Sequence, residues 1–396
     1  MQFQSFQGIL GVFTIFFICW ILSENRKKVQ FKSIFLGFLT QVLLAVLILK
    51  FPPIQTAFYY IGQAVMGLKE ATIAGTSFVF GYLGGSPVPF VENHNHTGNL
   101  FIFAFQALPM VIVISALAML LFHWRILPFL VRTLSLFFRK FLSIGGALGV
   151  CSAAKIFLGQ TEAPLLVRPY LKTMSRGEIF SIMTLGLATT SGTILAIYAT
   201  ILDPVLPNAL THILTASIIS VPAAITLSRI LIPHPDKEIG GDMVMPYTFS
   251  SSMDAISKGT GDGLKLFLNI IAMLIVFIAF VTLINKALGL IPFFDSPLTL
   301  QKILGAIMAP LTWLMGVPWS EATAAGGLLG IKTILNEMYA FLEFSTTVGT
   351  NLSPQTRVII TYALCGFANF ASIGIIFSFT FIIASTISPL LNVYCI

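Results

Sequence analysis

Residues 142–170 read LSIGGALGVCSAAKIFLGQTEAPLLVRPY, and this stretch decides how the rest of the chain is understood. It is apolar toward both ends, yet it carries Gly159, Gln160, Thr161, Glu162 and Pro164 near its middle. Each half is about 10 to 15 residues, or roughly 15 to 22 Å of helix, short of the ~30 Å of a hydrocarbon core. The segment reads as a re-entrant hairpin with an acid at membrane depth. An ionisable group there costs several kcal/mol unless it faces a wet cavity, a partner or a solute, so function belongs at the turn. A second segment, Leu298–Gly327, is broken in the same way at Gly316, Val317, Pro318 and Trp319. Irregular backbone at that depth is tolerated only where protein buries it or where it lines a cavity, so the two turns should meet at one.

The flanking sequence supplies the membrane. Of 396 residues, 56% are hydrophobic and only 9% charged, with 36 Phe, far more apolar surface than soluble cores bury. The net charge of +7 sits in short loops between apolar runs, so it reads as a topology signal and not as a nucleic-acid surface. The first run, Phe6–Leu22, is followed at once by Arg26, Lys27, Lys28 and Lys32, the reverse of a cleavable signal, which places a retained helix with its N-terminus outside. Further spans are expected at Phe35–Leu49, Phe101–Leu121, Phe180–Ile201, Ala209–Ile230, Leu264–Leu288, Leu328–Leu342 and in the long run Val358–Leu391. Phe58, Ile61, Val65 and Leu68 recur at helical spacing opposite Gln63 and Glu70, which describes a helix lying in the interface. Arg125, Arg132 and Arg139 recur every seventh residue and lay a basic stripe near the inner surface. Arg168, Lys172, Arg176, Arg229, Lys237 and Arg357 then all fall on the inner side, provided that neither hairpin crosses.

The order after residue 141 is hairpin, span, span, one connecting span, then hairpin, span, span. Such an order describes an inverted repeat with a solute site near the midplane. Thr189, Thr190, Ser191 and Gly192 interrupt one span and Asn336 and Glu337 the other. The expected organisation is an N-terminal scaffold with the interfacial helix (1–140), a first repeat (141–232), a connecting scaffold span (233–292) and a second repeat (293–396). His94 and His96 share one face of an extended strand but lack a third ligand nearby, so an exposed polar loop is the simpler reading. Cys19, Cys151, Cys365 and Cys395 show no paired metal spacing and read as packing residues; no metal or cofactor is expected.

Four motifs in order carry a resemblance. Gly330, Ile331, Lys332, Thr333, Ile334, Leu335, Asn336 and Glu337 fit the GxKx3NE signature of concentrative nucleoside transporters, and Gly159–Pro164 fits that family's first hairpin tip. Gly316–Trp319 and Tyr362–Ser372 are similar to it as well. The resemblance implies an all-α membrane protein with eight transmembrane helices, an interfacial helix and two re-entrant hairpins, assembled as a homotrimer. It implies a mobile transport domain that carries nucleoside, uridine or adenosine for example, past a fixed scaffold. Carried over position by position, Gln160 and Thr161 pair with the nucleobase, Glu162 acts near it through water, and Ile194 lines the base pocket. Glu337, Asn369 and Ser372 hold the ribose hydroxyls, with Gly159 and Asn336 in support.

The residue types agree with that chemistry. An amide and a hydroxyl can pair with a base edge, and a carboxylate accepts two O–H donors from a diol. A phosphorylated solute would demand Arg or Lys, which neither hairpin tip supplies. Bland readings stand beside these: Gln160 and Thr161 as caps of a broken helix, Asn336 as a brace for unwound backbone, Lys332 as a structural or snorkelling residue.

One departure bears on coupling. Sodium-coupled members of the family have Asn four residues before the hairpin glycine; here Lys155 stands there, with Leu158, Thr189 and Thr190 completing the equivalent of the cation site. An ammonium cannot ligate sodium and places positive charge where the cation would sit. Buried lysines can exchange a proton when no acid is close, so proton-coupled or ion-independent uptake is expected, with sodium symport as the alternative. A static pair with Glu162 is the bland reading of the same lysine. Two other classes fit less well. A channel would favour rings of repeated carbonyls or charges, and an intramembrane enzyme would need a nucleophile with a base or a zinc site, of which no motif is present. Short apolar loops fit a bacterial inner membrane.

Overall fold

The computed structural model describes residues 2–90, 101–160, 162–171, 173–233, 241, 243, 248–290 and 298–376, without the side chains of 2–6 and 347. Thr161, His94, His96, Lys172, Lys237, Cys395 and the end of the run to Leu391 lie outside the described residues. All regular structure among the described residues is helical. Helices long and apolar enough to cross a membrane include Phe31–Lys50, Phe103–His123, Arg176–Leu202, Ala209–Leu231 and Ser252–Leu288. The fold is that of an all-α membrane protein. The chain divides into two compact units, residues 1–51, 128–247 and 280–396 in one and 52–127 with 248–279 in the other.

The smaller unit contains α3 (Pro52–Phe80), the short α4 (Phe103–Gln106), α5 (Met110–His123) and the first part of α12 (Ser252–Leu288). At 29 residues α3 is long, yet it is not among the helices apolar enough to count as candidate spans. Where α12 crosses α5, Gly259 and Gly263 lie one turn apart. A Cβ on Gly259 would stand 2.6 Å from the Ser115 carbonyl oxygen, and one on Gly263 2.7 Å from Ile112 Cα. Small residues at this spacing let two apolar helices approach backbone to backbone, which supplies van der Waals packing where lipid supplies no hydrophobic drive.

The larger unit holds α1 (Gln2–Ile21), α2 (Phe31–Lys50) and nearly all of the amphipathic α6 (Ile126–Leu142), followed by the elements that position the site. The first hairpin descends through α7 (Gly146–Ala154), turns from residue 155 to residue 160 and returns through α8 (Glu162–Leu165) and a 3-10 turn, Arg168–Tyr170. Its open end is closed by Gly241, which backs onto Gly146 and lies against the Tyr170 ring; a Cβ there would be 3.2 Å from that ring. The span that follows, α9 (Arg176–Ala188), starts with a capping box: Ser175 Oγ accepts from Glu178 N at 3.2 Å, and Glu178 Oε2 accepts from Ser175 N at 2.8 Å. It breaks at Thr189–Ser191, resumes as α10 (Gly192–Leu202), and leads into α11 (Ala209–Leu231).

The second half departs from the sequence reading in the place of its hairpin and in the place of its broken span. The expected break at Gly316–Trp319 is present, as a 116° bend between α13 (Leu300–Leu314) and α14 (Trp319–Ile334). However, α14 continues past Gly327, and the span expected at Leu328–Leu342 is not a single helix. The chain breaks again at Leu335 and Asn336, and α15 (Glu337–Glu343) with a π turn, Phe344–Val348, forms a return leg. The two legs are joined at their open end, where Ser353 Oγ donates to Glu321 Oε2 at 3.0 Å and Ser353 N to Glu321 Oε1 at 3.2 Å. Residues 319–351 are thus the second hairpin, and Asn336–Glu337 is its tip. At 16 residues α14 spans about 24 Å, too short for a crossing. The following span, α16 (Pro354–Leu364), is capped by Ser353, breaks at residues 365–369 and is helical again from 370 to 376, so the interruption expected at Asn336 and Glu337 falls instead in the run that begins near Val358.

Candidate functional site

Four backbone breaks converge within the larger unit. The first hairpin tip meets the first broken span where Gly192 N donates to Phe157 O at 3.2 Å. The two broken spans meet each other at Gly366: a Cβ there would lie 2.8 Å from Ala188 O and 3.1 Å from Leu187 O, so only glycine fits. The second tip meets both, through Glu337. Its Oε1 accepts from the Tyr198 hydroxyl of α10 at 2.8 Å and its Oε2 from Asn369 Nδ2 at 2.9 Å. Unwound backbone and polar side chains are thereby concentrated at one place in an otherwise apolar structure, as a solute site within a membrane requires.

Each tip is braced locally. Asn336 caps α15, its Oδ1 accepting from Tyr339 N at 2.8 Å, which is the bracing role. Glu162 Oε2 accepts from Gly159 N at 3.0 Å and so closes the first turn on itself. Asn369 Oδ1 accepts from Ser372 N at 2.8 Å, so one amide starts the resumed helix and also binds the Glu337 carboxylate. Lys332 is buried and structural in its contact: Nζ donates to Ala363 O at 2.8 Å, a carbonyl orphaned because α16 ends one residue later.

The residues expected around the base and the sugar are brought together to different degrees. Glu337, Asn369 and Ser372 form one buried cluster, at 7%, 2% and 6% exposure. Ile194 is buried one helical turn before Tyr198 on the same face of α10. Gln160 packs beside Gly186 of α9, and its buried Oε1 has no hydrogen-bond partner among the described residues. Tyr198 did not emerge from the sequence. The available signal was its spacing: a polar ring four residues after Ile194 within ILAIYATIL faces the same way.

Lys155 lies at the end of α7, 1% exposed. Its ammonium donates to Thr189 O at 3.5 Å and stands over the Phe367 ring, 4.9 Å from the centroid. It therefore touches both broken spans from the first hairpin tip. Among the described residues no carboxylate lies within ion-pair distance of it, so the static pair with Glu162 is not formed; Glu162 and Glu337 act on it only from farther away. The Thr189 hydroxyl bonds back to Leu185 O at 2.9 Å and the Thr190 hydroxyl turns to Ser217 of α11 at 2.8 Å. Leu158 N continues the helix onto Ala154 O at 2.8 Å.

Known proteins share this plan. A family model described as Na+ dependent nucleoside transporter C-terminus matches residues 212–391, its N-terminal counterpart residues 10–83, and a third, described as Gate, nucleoside recognition, residues 104–205. The uncharacterized transporter YutK of Bacillus subtilis is 34% identical over 377 residues, covering 93% of this chain and 88% of its own length. The nucleoside permease NupC of Helicobacter pylori is 33% identical over 382 residues, with 95% and 89% covered. The solved structure of CNTnw in an inward-facing, substrate-bound state superimposes with a TM-score of 0.87 at 32% identity, covering 97% of this chain and 90% of that one. These relatives are transporters and not enzymes. With motifs, topology and near-full-length similarity in agreement, the chain belongs to the concentrative nucleoside transporter family.

Proposed function

We propose that this transporter takes up nucleosides without sodium, with the Lys155 ammonium in the place of a coupling cation. The observation that carries the reading is the seat of that ammonium. It is held between the first tip and the two span breaks by one long hydrogen bond and one aromatic face. A sodium ion in this position would meet the positive charge of the ammonium that already occupies it. Three N–H donors with one acceptor among the described residues, at 3.5 Å, are not a built ion pair, and this favours a lysine that exchanges its proton during the cycle. Proton symport is the leading form of the proposal. Ion-independent movement is the form in which Lys155 stays charged throughout.

In this reading Gln160 and Thr161 pair with the base, with Glu162 beside them, and Ile194 forms the wall of the pocket. Glu337, Asn369 and Ser372 take the ribose. The organisation follows the repeats: scaffold over 1–140, first repeat over 141–232, connecting span over 233–292, second repeat over 293–396. A homotrimer in a bacterial inner membrane with its N-terminus outside completes the proposal. The deciding experiment is uptake of radiolabelled uridine and adenosine into proteoliposomes under imposed sodium and proton gradients in turn. Acceleration by an inward proton gradient with indifference to sodium is the expected result. Uptake that rises steeply with external sodium and ignores the proton gradient would refute it.

A further inference from the structure

Helix α10 joins the two ends of the site. Its first residue bonds the first hairpin tip, Gly192 N to Phe157 O at 3.2 Å, and Tyr198, farther along the same helix, grips the second. Tyr198 is wholly buried, and it holds α15 at two points. Its hydroxyl donates to Glu337 Oε1 at 2.8 Å, and its ring lies on Phe341 with centroids 4.5 Å apart and planes inclined by 32°. Glu337 and Phe341 are four residues apart, so both contacts fall on one face of the hairpin's return leg.

The carboxylate is thereby fixed in orientation before any solute arrives. Asn369 donates to Oε2 and Tyr198 to Oε1, so each oxygen carries one side-chain donor. A carboxylate offers about four acceptor positions, two per oxygen, so each oxygen keeps capacity for another donor. Two adjacent acceptors on a carboxylate that cannot rotate match two adjacent O–H donors, which is a vicinal diol. We infer that Tyr198 is a positioning residue that locks the Glu337 carboxylate so that the site selects sugars with an intact cis-diol over those lacking one or both hydroxyls. The inference rests on the reading that Glu337 takes the ribose, and it adds the residue that makes this interaction selective.

The test compares inhibition of radiolabelled uridine uptake by uridine, 2′-deoxyuridine, 3′-deoxyuridine and 2′,3′-dideoxyuridine in proteoliposomes of the wild type, Tyr198→Phe and Glu337→Gln. The phenyl ring keeps its place on Phe341. Tyr198→Phe should therefore insert normally and lose about tenfold of the preference for uridine over the dideoxy analogue, the size of one charge-assisted hydrogen bond. Preference among bases should not move, which separates positioning of the carboxylate from general disruption. If Glu337→Gln abolishes the diol preference and Tyr198→Phe leaves it intact, the role of Tyr198 is overturned while the ribose reading stands. If Glu337→Gln retains the preference, the ribose reading fails and the inference falls with it. Should the phenylalanine variant not insert, 3-fluorotyrosine at position 198 alters donor strength by one atom; a shifted preference supports the inference, and an unchanged one overturns it.

Discussion

Replacing Lys155 with methionine separates energy coupling from substrate binding. The side chain keeps its apolar stem and loses the ammonium, which makes one hydrogen bond at 3.5 Å and one ring contact at 4.9 Å. A hydrogen bond at that limit contributes no more than about 1 kcal/mol, and a desolvated cation over an aromatic face about 2 kcal/mol. Against these stands the desolvation of a charge, several kcal/mol for an ion in a buried setting. The two sides nearly cancel, so Lys155→Met should stay within about 2 kcal/mol of the wild type in stability. Uridine affinity should change by less than about tenfold, because the ammonium forms no hydrogen bond with the Glu337 cluster. The response to an imposed gradient should disappear altogether. The assay is initial uridine uptake in proteoliposomes with and without an inward proton gradient, alongside gradient-free counterflow exchange. Wild-type uptake should accelerate with the gradient, and the variant should exchange normally yet ignore it. A Lys155→Met protein that keeps full acceleration would show that the lysine does not carry the coupling. Lys155→Asn gives the reciprocal test, since an amide can ligate sodium and sodium-dependent uptake should appear.

Three further outcomes are expected. Gln160→Ala removes a side chain whose buried oxygen has no partner among the described residues, so thermal stability should hold while nucleoside affinity falls about tenfold or more; equal losses in both would make the glutamine a structural cap. Lys332→Met leaves the Ala363 carbonyl without its 2.8 Å donor, which should cost about 1 to 3 kcal/mol in detergent unfolding experiments; unchanged stability would argue that the lysine faces solute instead. Gly366→Ala drives a methyl to 2.8 Å from Ala188 O, where backbone and not a flexible chain must yield, so uptake should be nearly lost at normal expression; wild-type transport would show that the two span breaks are not held together.

The sequence was informative where single residues break a pattern. Gly159 and Pro164 in an apolar run too short to cross twice marked the first hairpin, and its turn lies among the residues expected, with Glu162 closing it through Gly159 N. The second hairpin was legible in kind but shifted in place. Gly316 and Pro318 advertise a bend that is real, at 116°, whereas the break at Leu335 and Asn336 contains neither glycine nor proline and follows from a single capping side chain. A pattern of hydrophobicity cannot distinguish a helix that stops at Ile334 and turns back from one that runs on to Leu342, because the residues on both sides of Asn336 and Glu337 are mostly apolar.

Composition by itself determined that this chain belongs in a bilayer, because apolar surface in such excess has nowhere else to go. Ordered local motifs determined the family, because hairpin tips and their signatures are contiguous in the chain. Only the tertiary structure decided that Glu337 is held by Tyr198, 139 residues away, that Asn369 occupies its other oxygen, and that Lys155 meets a carbonyl and a phenyl ring. Those are relations among four separate breaks in the backbone. Distance in the chain carries no record of which break packs against which, so their partners are fixed by helix packing and not by any local signal.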